Sequence, residues 1–240
     1  MPAARHPGGP SVPGGQNELM QIQSDVKIAA WLRGHASAPD VFASVLAHYD
    51  EPLRRYHNGR HVRMVVSRCV ALMSTINVAD PHSVVWAALW HDAIYDPTAH
   101  DNEAASARLA ETQLRQLGVD AKRCAEVSRL IMLTAGHAVM PSDAGGSVLV
   151  DADLAVLGAS PEVYADYVRG VRAEYHFVSD DAWRLGRASV LRSLLALPRL
   201  FHTAPMQHRE AKARTNLAAE LARLSGPDEE RPHSKGSRPE

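Results

Sequence analysis

The sequence predicts an all-α fold, and three observations carry the prediction. Apolar residues make up 45% of the 240 positions while aromatics make up only 5%, a composition of packed Ala- and Leu-rich helices. From Asn17 to Leu224 the apolar residues recur at three- and four-residue steps, the period of a helix with one buried face. The single β-branched run, SVLV, has no evident partner strand. One helical domain over residues 17–224 is expected. Pro/Gly-rich residues 1–16 and polar residues 225–240 read as disordered tails.

The elements follow in order. NELMQIQSDVKIAAWLRG, from Asn17, carries Leu19, Ile22, Val26, Ala29 and Ala30 near helical spacing and stops at Gly34. PDVFASVLAHYD starts with Pro39 in its first turn and packs Val41, Val45 and Leu46. Glu51-Pro52 breaks the chain before a long helix expected from about Arg54 to Ile76, with His61, Val65, Cys69 and Leu72 on its inward face. The next helix runs from about Pro81 with Val84, Ala87, Ala88, His91 and Tyr95 on one stripe. DNEAASARLAETQLRQLG is capped by Asp101 or Asn102 and ends at Gly118. Residues 120–136 form another helix, and 138–147 a loop holding Pro141 and Gly145-Gly146. SVLVDADLAVLG, PEVYADYVRGVRAEY, Asp180 to Leu197 and about Met206 to Leu224 complete the helical set.

The totals exclude several classes. With 26 basic and 27 acidic residues the net charge is -1, which lacks the basic footprint of a nucleic-acid or membrane-surface binder. No apolar run approaches the roughly 18 residues of a spanning helix. MPAARHPGGPSVPGG has proline and glycine where a signal peptide needs an apolar stretch. Two cysteines, Cys69 and Cys124, make no disulfide framework and read as buried thiols in a reducing compartment. A cytoplasmic protein is expected, with a small anionic molecule as its partner.

His57, His61, His91, Asp92 and the pair Asp151 and Asp153 stand out on the inward faces. Singly, each has an ordinary explanation: a core histidine, a chance His-Asp pair, a helix cap. Together they put two or more carboxylates beside imidazoles among alanines and leucines, where an uncompensated charge is costly. A divalent cation compensates such a group. Mixed nitrogen and oxygen ligands suit Mn, Fe, Co, Ni or Zn, with Mg less well served. His91 and Asp92 point about 100° apart if helical, so a metal off the stripe edge can receive both.

The phrases YDEPLRRYHNGRHV, LWHDAIYDP, DNEAASA, LTAGH, VDADLAVLG, VRAEY, GRASVL and ARTNLAAEL, in this order over about residues 25–222, resemble the HD-domain superfamily of metal-dependent phosphohydrolases. The narrower likeness is to a bacterial family of predicted HD phosphohydrolases. The resemblance implies a single HD-domain helical bundle whose metal ligands are His61, His91, Asp92 and Asp153, the last in an Ala152-Asp153-Leu154 context. Asp151 is then placed behind the ligands or on the substrate side, and the two aspartates exchange roles if the helix begins one turn differently. YHNGRH is similar to the motif of cyclic-nucleotide phosphodiesterases, which implies His57 as proton donor to the leaving oxygen and His61 as ligand. His57 and His61 sit at i and i+4 and would share one helix face; hydrogen bonding behind the ligands is the other reading of His57.

One metal is the first expectation, with His137 near the phosphate; two-metal members would use His137 as a further ligand. Arg54, Arg172 and Arg187 fall within family-like phrases and are candidate phosphate forks. Glu103 is a candidate base or water orienter, Asn102 a cap, and Asp96 a partner for water or an arginine. The implied reaction is hydrolysis of a phosphate ester, with a nucleotide or nucleotide-like small molecule as substrate. A metal- and nucleotide-binding sensor without turnover, and a di-iron oxygenase, are the alternatives. The sequence does not fix the oligomeric state; a homodimer is compatible with it.

Overall fold

The computed structural model describes residues 25, 27–32 and 38–225, and among these it contains helices and turns with no strand. The expected tails lie outside the described residues except Ser225, which closes the last helix, and so does most of the helix expected from Asn17. Helical residues 25 and 27–29 precede the 3-10 turn Ala30–Leu32. The α-helices are α1 (Ala38–Tyr49), α2 (Gly59–Met73), α3 (Pro81–Trp90), α4 (Asn102–Gln116), α5 (Ala121–Leu133), α6 (Ala144–Asp153), α7 (Pro161–Glu174), α8 (Asp180–Ala196) and α9 (Glu210–Ser225). A 3-10 segment, Leu154–Gly158, continues α6, and another, Ala204–Arg209, precedes α9.

Helix α3 is enclosed on every side. All residues from Ser83 to Trp90 are buried, and α2, α4, α5 and α6 pack around it. The stripe expected along this helix is therefore replaced by burial all round, the pattern of a central helix. Pro81 starts it, and the Asp80 carboxylate caps it by accepting from Ser83 N. The helix ends at Trp90, so His91, Asp92 and Tyr95 belong to the turn beyond it.

Helix α2 buries Val62, Val65, Val66, Cys69 and Leu72 on the face that also carries His61. It begins five residues later than expected, at Gly59, because Asn58 caps it: Asn58 Oδ1 accepts from Arg60 N and His61 N. Its amide meanwhile donates to Arg55 O. Helix α4 ends as expected. Gly118 adopts φ 79°, its amide bonds Arg115 O and Val119 N bonds Leu114 O, which is the paired C-terminal closure that favours glycine. The loop expected at 138–147 is shorter, since Asp143 caps α6 and Gly145 and Gly146 enter the first helical turn. SVLVDAD is helical throughout, with Val148, Leu149 and Val150 buried. Helices α8 and α9 pack together, and α9 and α7 cover the 3-10 segment after α6. Cys69 and Cys124 are free and buried.

This architecture gathers chain ends. His61 lies in the first turn of α2, His91 and Asp92 directly follow α3, His137 follows α5, and Asp153 closes α6. Packing of α2, α3 and α6 against one another is what brings the ends together.

Candidate metal centre

His61, His91 and Asp153 place one ligand atom each within 4.8 Å of one another and could hold a metal ion. His61 Nε2 is 3.1 Å from His91 Nε2, 3.3 Å from Asp153 Oδ1 and 3.4 Å from Asp92 Oδ2. His91 Nε2 is 3.1 Å from Asp92 Oδ2 and 3.6 Å from Asp153 Oδ1. Donor atoms about 2.0–2.2 Å from a common centre are separated by roughly 3.0 Å in octahedral and 3.4 Å in tetrahedral arrangements. The observed spacings match that shell.

His91 and Asp92 are held from behind, whereas the His61 ring is not. His91 Nδ1 is 2.9 Å from Ala88 O; a carbonyl only accepts, so Nδ1 carries the proton and Nε2 turns its lone pair inward. His61 Nδ1 is buried with no hydrogen-bond partner, leaving Nε2 as the atom of that ring engaged at the centre. The Asp92 amide bonds the Tyr49 hydroxyl, which itself donates to Leu89 O. Ser106 grips the following residue, accepting from Ile94 N and donating to Ile94 O.

Charges in the cluster stabilise one another. Burial would raise the carboxyl of Asp153, but the imidazoles of His137, His61 and His91 outweigh it and hold the group well below the usual carboxylate range. Asp92 behaves alike, burial being outweighed by His91 and His61. Conversely, burial opposes the charge on His61 and His91, yet Asp153 and Asp92 raise both. Two imidazoles beside two ionised carboxylates make a mixed nitrogen and oxygen set that could hold a divalent cation.

His137 stands at the edge, with Nε2 3.4 Å from Asp153 Oδ2. Asp153 thus turns one oxygen to the histidine pair and the other to His137. The His137 backbone has φ 55°, a left-handed conformation that non-glycine residues rarely adopt.

His57 sits outside α2, one residue before its cap, so the expected helical i, i+4 relation with His61 does not exist. Its ring is nevertheless 5.7 Å from that of His61 and stacks on Tyr95 at 4.3 Å. The residue that places it is Glu174, the last of α7. Glu174 Oε1 accepts from the amides of Arg55, Tyr56 and His57 at 2.8, 2.7 and 2.9 Å. Its Oε2 is 2.7 Å from His57 Nδ1 and accepts from the Tyr95 hydroxyl at 3.1 Å. Burial would raise Glu174, but the bond from His57 and the backbone amides lower it below the usual range. The carboxylate fixes the proton of His57 on Nδ1, so the neutral ring carries its lone pair on Nε2.

The other expected site residues lie elsewhere. Arg54 is 6% exposed and spends its guanidinium on the carbonyls of His57, Asp92 and Ala93 and on Glu51; it ties the His57 segment to the His-Asp turn and is not free for phosphate. Arg172 closes the α7–α8 connection through Tyr175 O, Val178 O and Asp180. Arg187 is buried in a two-point ion pair with Glu220 and bonds the Tyr167 hydroxyl. Asp151 is fully buried and accepts from His202 N and Thr203 N, both at 2.7 Å; two residues apart on α6, Asp151 and Asp153 project to different sides. Asp96 accepts from Thr98 in a local turn, and Asn102 clasps the backbone of Asp96 at both N and O. Glu103, half-buried, lines a polar cavity with His57, Asp92 and Tyr95.

No family model, curated protein or solved structure matches the chain. No helix among the described residues is long and apolar enough to cross a membrane.

Glu174 is the functional residue that sequence reasoning missed. A signal existed: an acid in the last turn of a helix opposes the helix dipole, so VRAEY called for a compensating set of donors.

Proposed function

We propose that this chain is a metal-dependent phosphohydrolase of the HD type, acting on a small phosphate ester. The observation that carries the reading is the cluster of His61, His91, Asp92 and Asp153 with Nε2 and Oδ atoms 3.1–3.6 Å apart, beside a histidine whose second nitrogen is held by Glu174. The motif phrases of the sequence support the same class and, by resemblance alone, a nucleotide-like substrate; the near-neutral charge and the two buried thiols support a cytoplasmic location and no nucleic-acid or membrane partner.

A divalent ion (Mn, Fe, Co, Ni, Zn or Mg) held by these four residues supplies Lewis acidity, polarising a phosphoryl oxygen and making water a better nucleophile near neutral pH. The chain's own residues do the rest. His91 is kept in its tautomer by Ala88 O, and Asp92 is set by Arg54 and Tyr49 on its backbone. His57, proton-bearing at both nitrogens when charged, donates from Nε2 to the alkoxide oxygen as the P–O ester bond breaks. Glu174 stabilises the charged ring through Nδ1 and keeps it aimed. His137, beside Asp153, is positioned to donate to a phosphoryl oxygen, and Glu103 orients water in the polar cavity.

The test is release of inorganic phosphate from a broad phosphoester panel with Mn(II) or Co(II). Turnover in the wild type that is lost in His91→Ala and Asp92→Ala is expected. A metal-loaded protein that cleaves no phosphoester contradicts the reading and leaves a ligand-binding sensor as its successor.

A further inference from the structure

Two cavities share His57, His137 and Asp153 in their walls. The larger is about 450 Å³, within the range that accepts small organic ligands. Leu154, Val156, Leu157, Val190, Leu194 and Leu197 make most of its wall, with the rings of Tyr56 and Tyr167. Ser189 and Ser193 are its remaining polar side chains. The smaller cavity, about 280 Å³, is polar and contains Asp92 and Glu103.

Among the described residues, neither wall contains a lysine or an arginine. A divalent cation would balance Asp92 and Asp153, leaving Glu103 as surplus negative charge. A di- or triphosphate would bring further charge to walls that hold no cationic side chain: Arg54, Arg172 and Arg187 are committed to carbonyls and carboxylates, and Arg68 and Arg209 reach Ala152 O and Ala155 O outside both linings. Arg199 lines a third cavity together with His137 and His202, but that cavity borders neither His57 nor Asp153.

We propose that the larger cavity binds the apolar organic part, alkyl or aryl, of a phosphate monoester, so that the substrate carries a single phosphoryl group at Asp153 and His57. This rests on the phosphohydrolase reading and departs from the nucleotide-like substrate that the motif phrases suggest, replacing it with an apolar monoester. Sugar hydroxyls or a polyphosphate chain would forfeit the apolar wall, whereas a hydrocarbon chain gains from leaving water.

The test is calorimetric binding of non-hydrolysable phosphonates to the full chain loaded with Mn(II), alongside hydrolysis of the matching esters. Full burial gives about fourfold per methylene, so hexylphosphonate is expected to bind at least about tenfold tighter than ethylphosphonate. Ser193→Trp, at an exposed position, fills the cavity and removes that gain; Val190→Asp, also exposed, does so by charge if the first variant fails to fold. Arg199→Ala leaves hexylphosphonate affinity unchanged. Equal affinity for the two phosphonates, or tighter binding of methylenediphosphonate dependent on Arg199, overturns the proposal. If hexylphosphonate binds as expected while no ester is cleaved, the hydrolase reading falls and the cavity assignment stands. If esters are cleaved with glycerol phosphate or ATP preferred over hexyl phosphate, the cavity assignment falls and the hydrolase reading stands.

Discussion

Glu174→Gln preserves shape and removes one charge, so it isolates what the carboxylate contributes. Glu174 is 1% exposed and accepts five hydrogen bonds, three from consecutive amides on Oε1 and two on Oε2. A glutamine can keep the three amides on its carbonyl, each weakened because the acceptor is no longer charged, from roughly 1.5–3 kcal/mol toward about 1 kcal/mol. Its NH2 then faces His57 Nδ1 and the Tyr95 hydroxyl. The hydroxyl can rotate to accept. The imidazole must give up its Nδ1 proton, so the neutral tautomer reverses and the charged ring loses its partner. The three weakened amide bonds together cost about 1.5–6 kcal/mol of stability. Loss of one charge-assisted bond to the imidazolium, about 1.5–3 kcal/mol, lowers kcat roughly 10–100-fold. Urea denaturation, metal content by elemental analysis and initial rates of phosphate release measure the three quantities. The expected variant is folded, fully metal-loaded and slow. A variant with full metal and unchanged kcat refutes the role of the Glu174–His57 pair, and one whose slowness is explained by lost metal refutes it too.

Further outcomes follow from placements elsewhere. Arg187→Ala leaves the buried Glu220 carboxylate with the Tyr164 hydroxyl alone, so stability falls by about 3–5 kcal/mol; a phosphate-binding arginine would instead raise KM at unchanged stability, which a denaturant curve separates. His137→Asn keeps a side chain that tolerates left-handed backbone, so the melting temperature stays close to wild type while phosphate release drops; a large stability loss would show that the histidine acts through packing. For Asp80, burial raises the carboxyl but Arg123 and Ser83 outweigh it and hold it below the usual range. A folded pKa below the unfolded one gives stability that is complete above the ordinary carboxylate value and is lost as pH falls through the folded pKa. Asp80→Asn therefore lowers stability at neutral pH, and the gap to wild type narrows as pH falls below the ordinary carboxylate value; a constant gap would assign the effect to helix capping alone.

The helical architecture was legible because period and breakers act locally: Asp101-Asn102 and Gly118 bounded α4 to within a residue of the structure. Its errors were local too. Asn58 could be read either as a turn of helix or as a cap, and capping moved His57 out of α2. In the candidate site, His61, His91 and Asp92 were legible because histidines on apolar stripes and a buried carboxylate need compensation. Asp153 was set apart from Asp151 only by the Ala152-Asp153-Leu154 resemblance, because which side of α6 faces α2 is set by tertiary packing. The arginines misled for a related reason. A guanidinium that serves helix-end carbonyls, as Arg54 does, or a buried acid, as Arg187 does, reads in sequence like one that grips phosphate. Their partners lie up to 39 residues away, beyond any local pattern. Glu174 contacts His57 across 117 residues, and only the dipole argument pointed to it.

The most direct measurement is metal stoichiometry by elemental analysis of the purified wild type and His91→Ala, each incubated with Mn(II) and freed of excess ion. The account predicts about one tightly held ion per wild-type chain and near-total loss in the variant, with both proteins folded by circular dichroism. Equal metal content in the two, or none in the wild type at saturating Mn, Co or Zn, would contradict it.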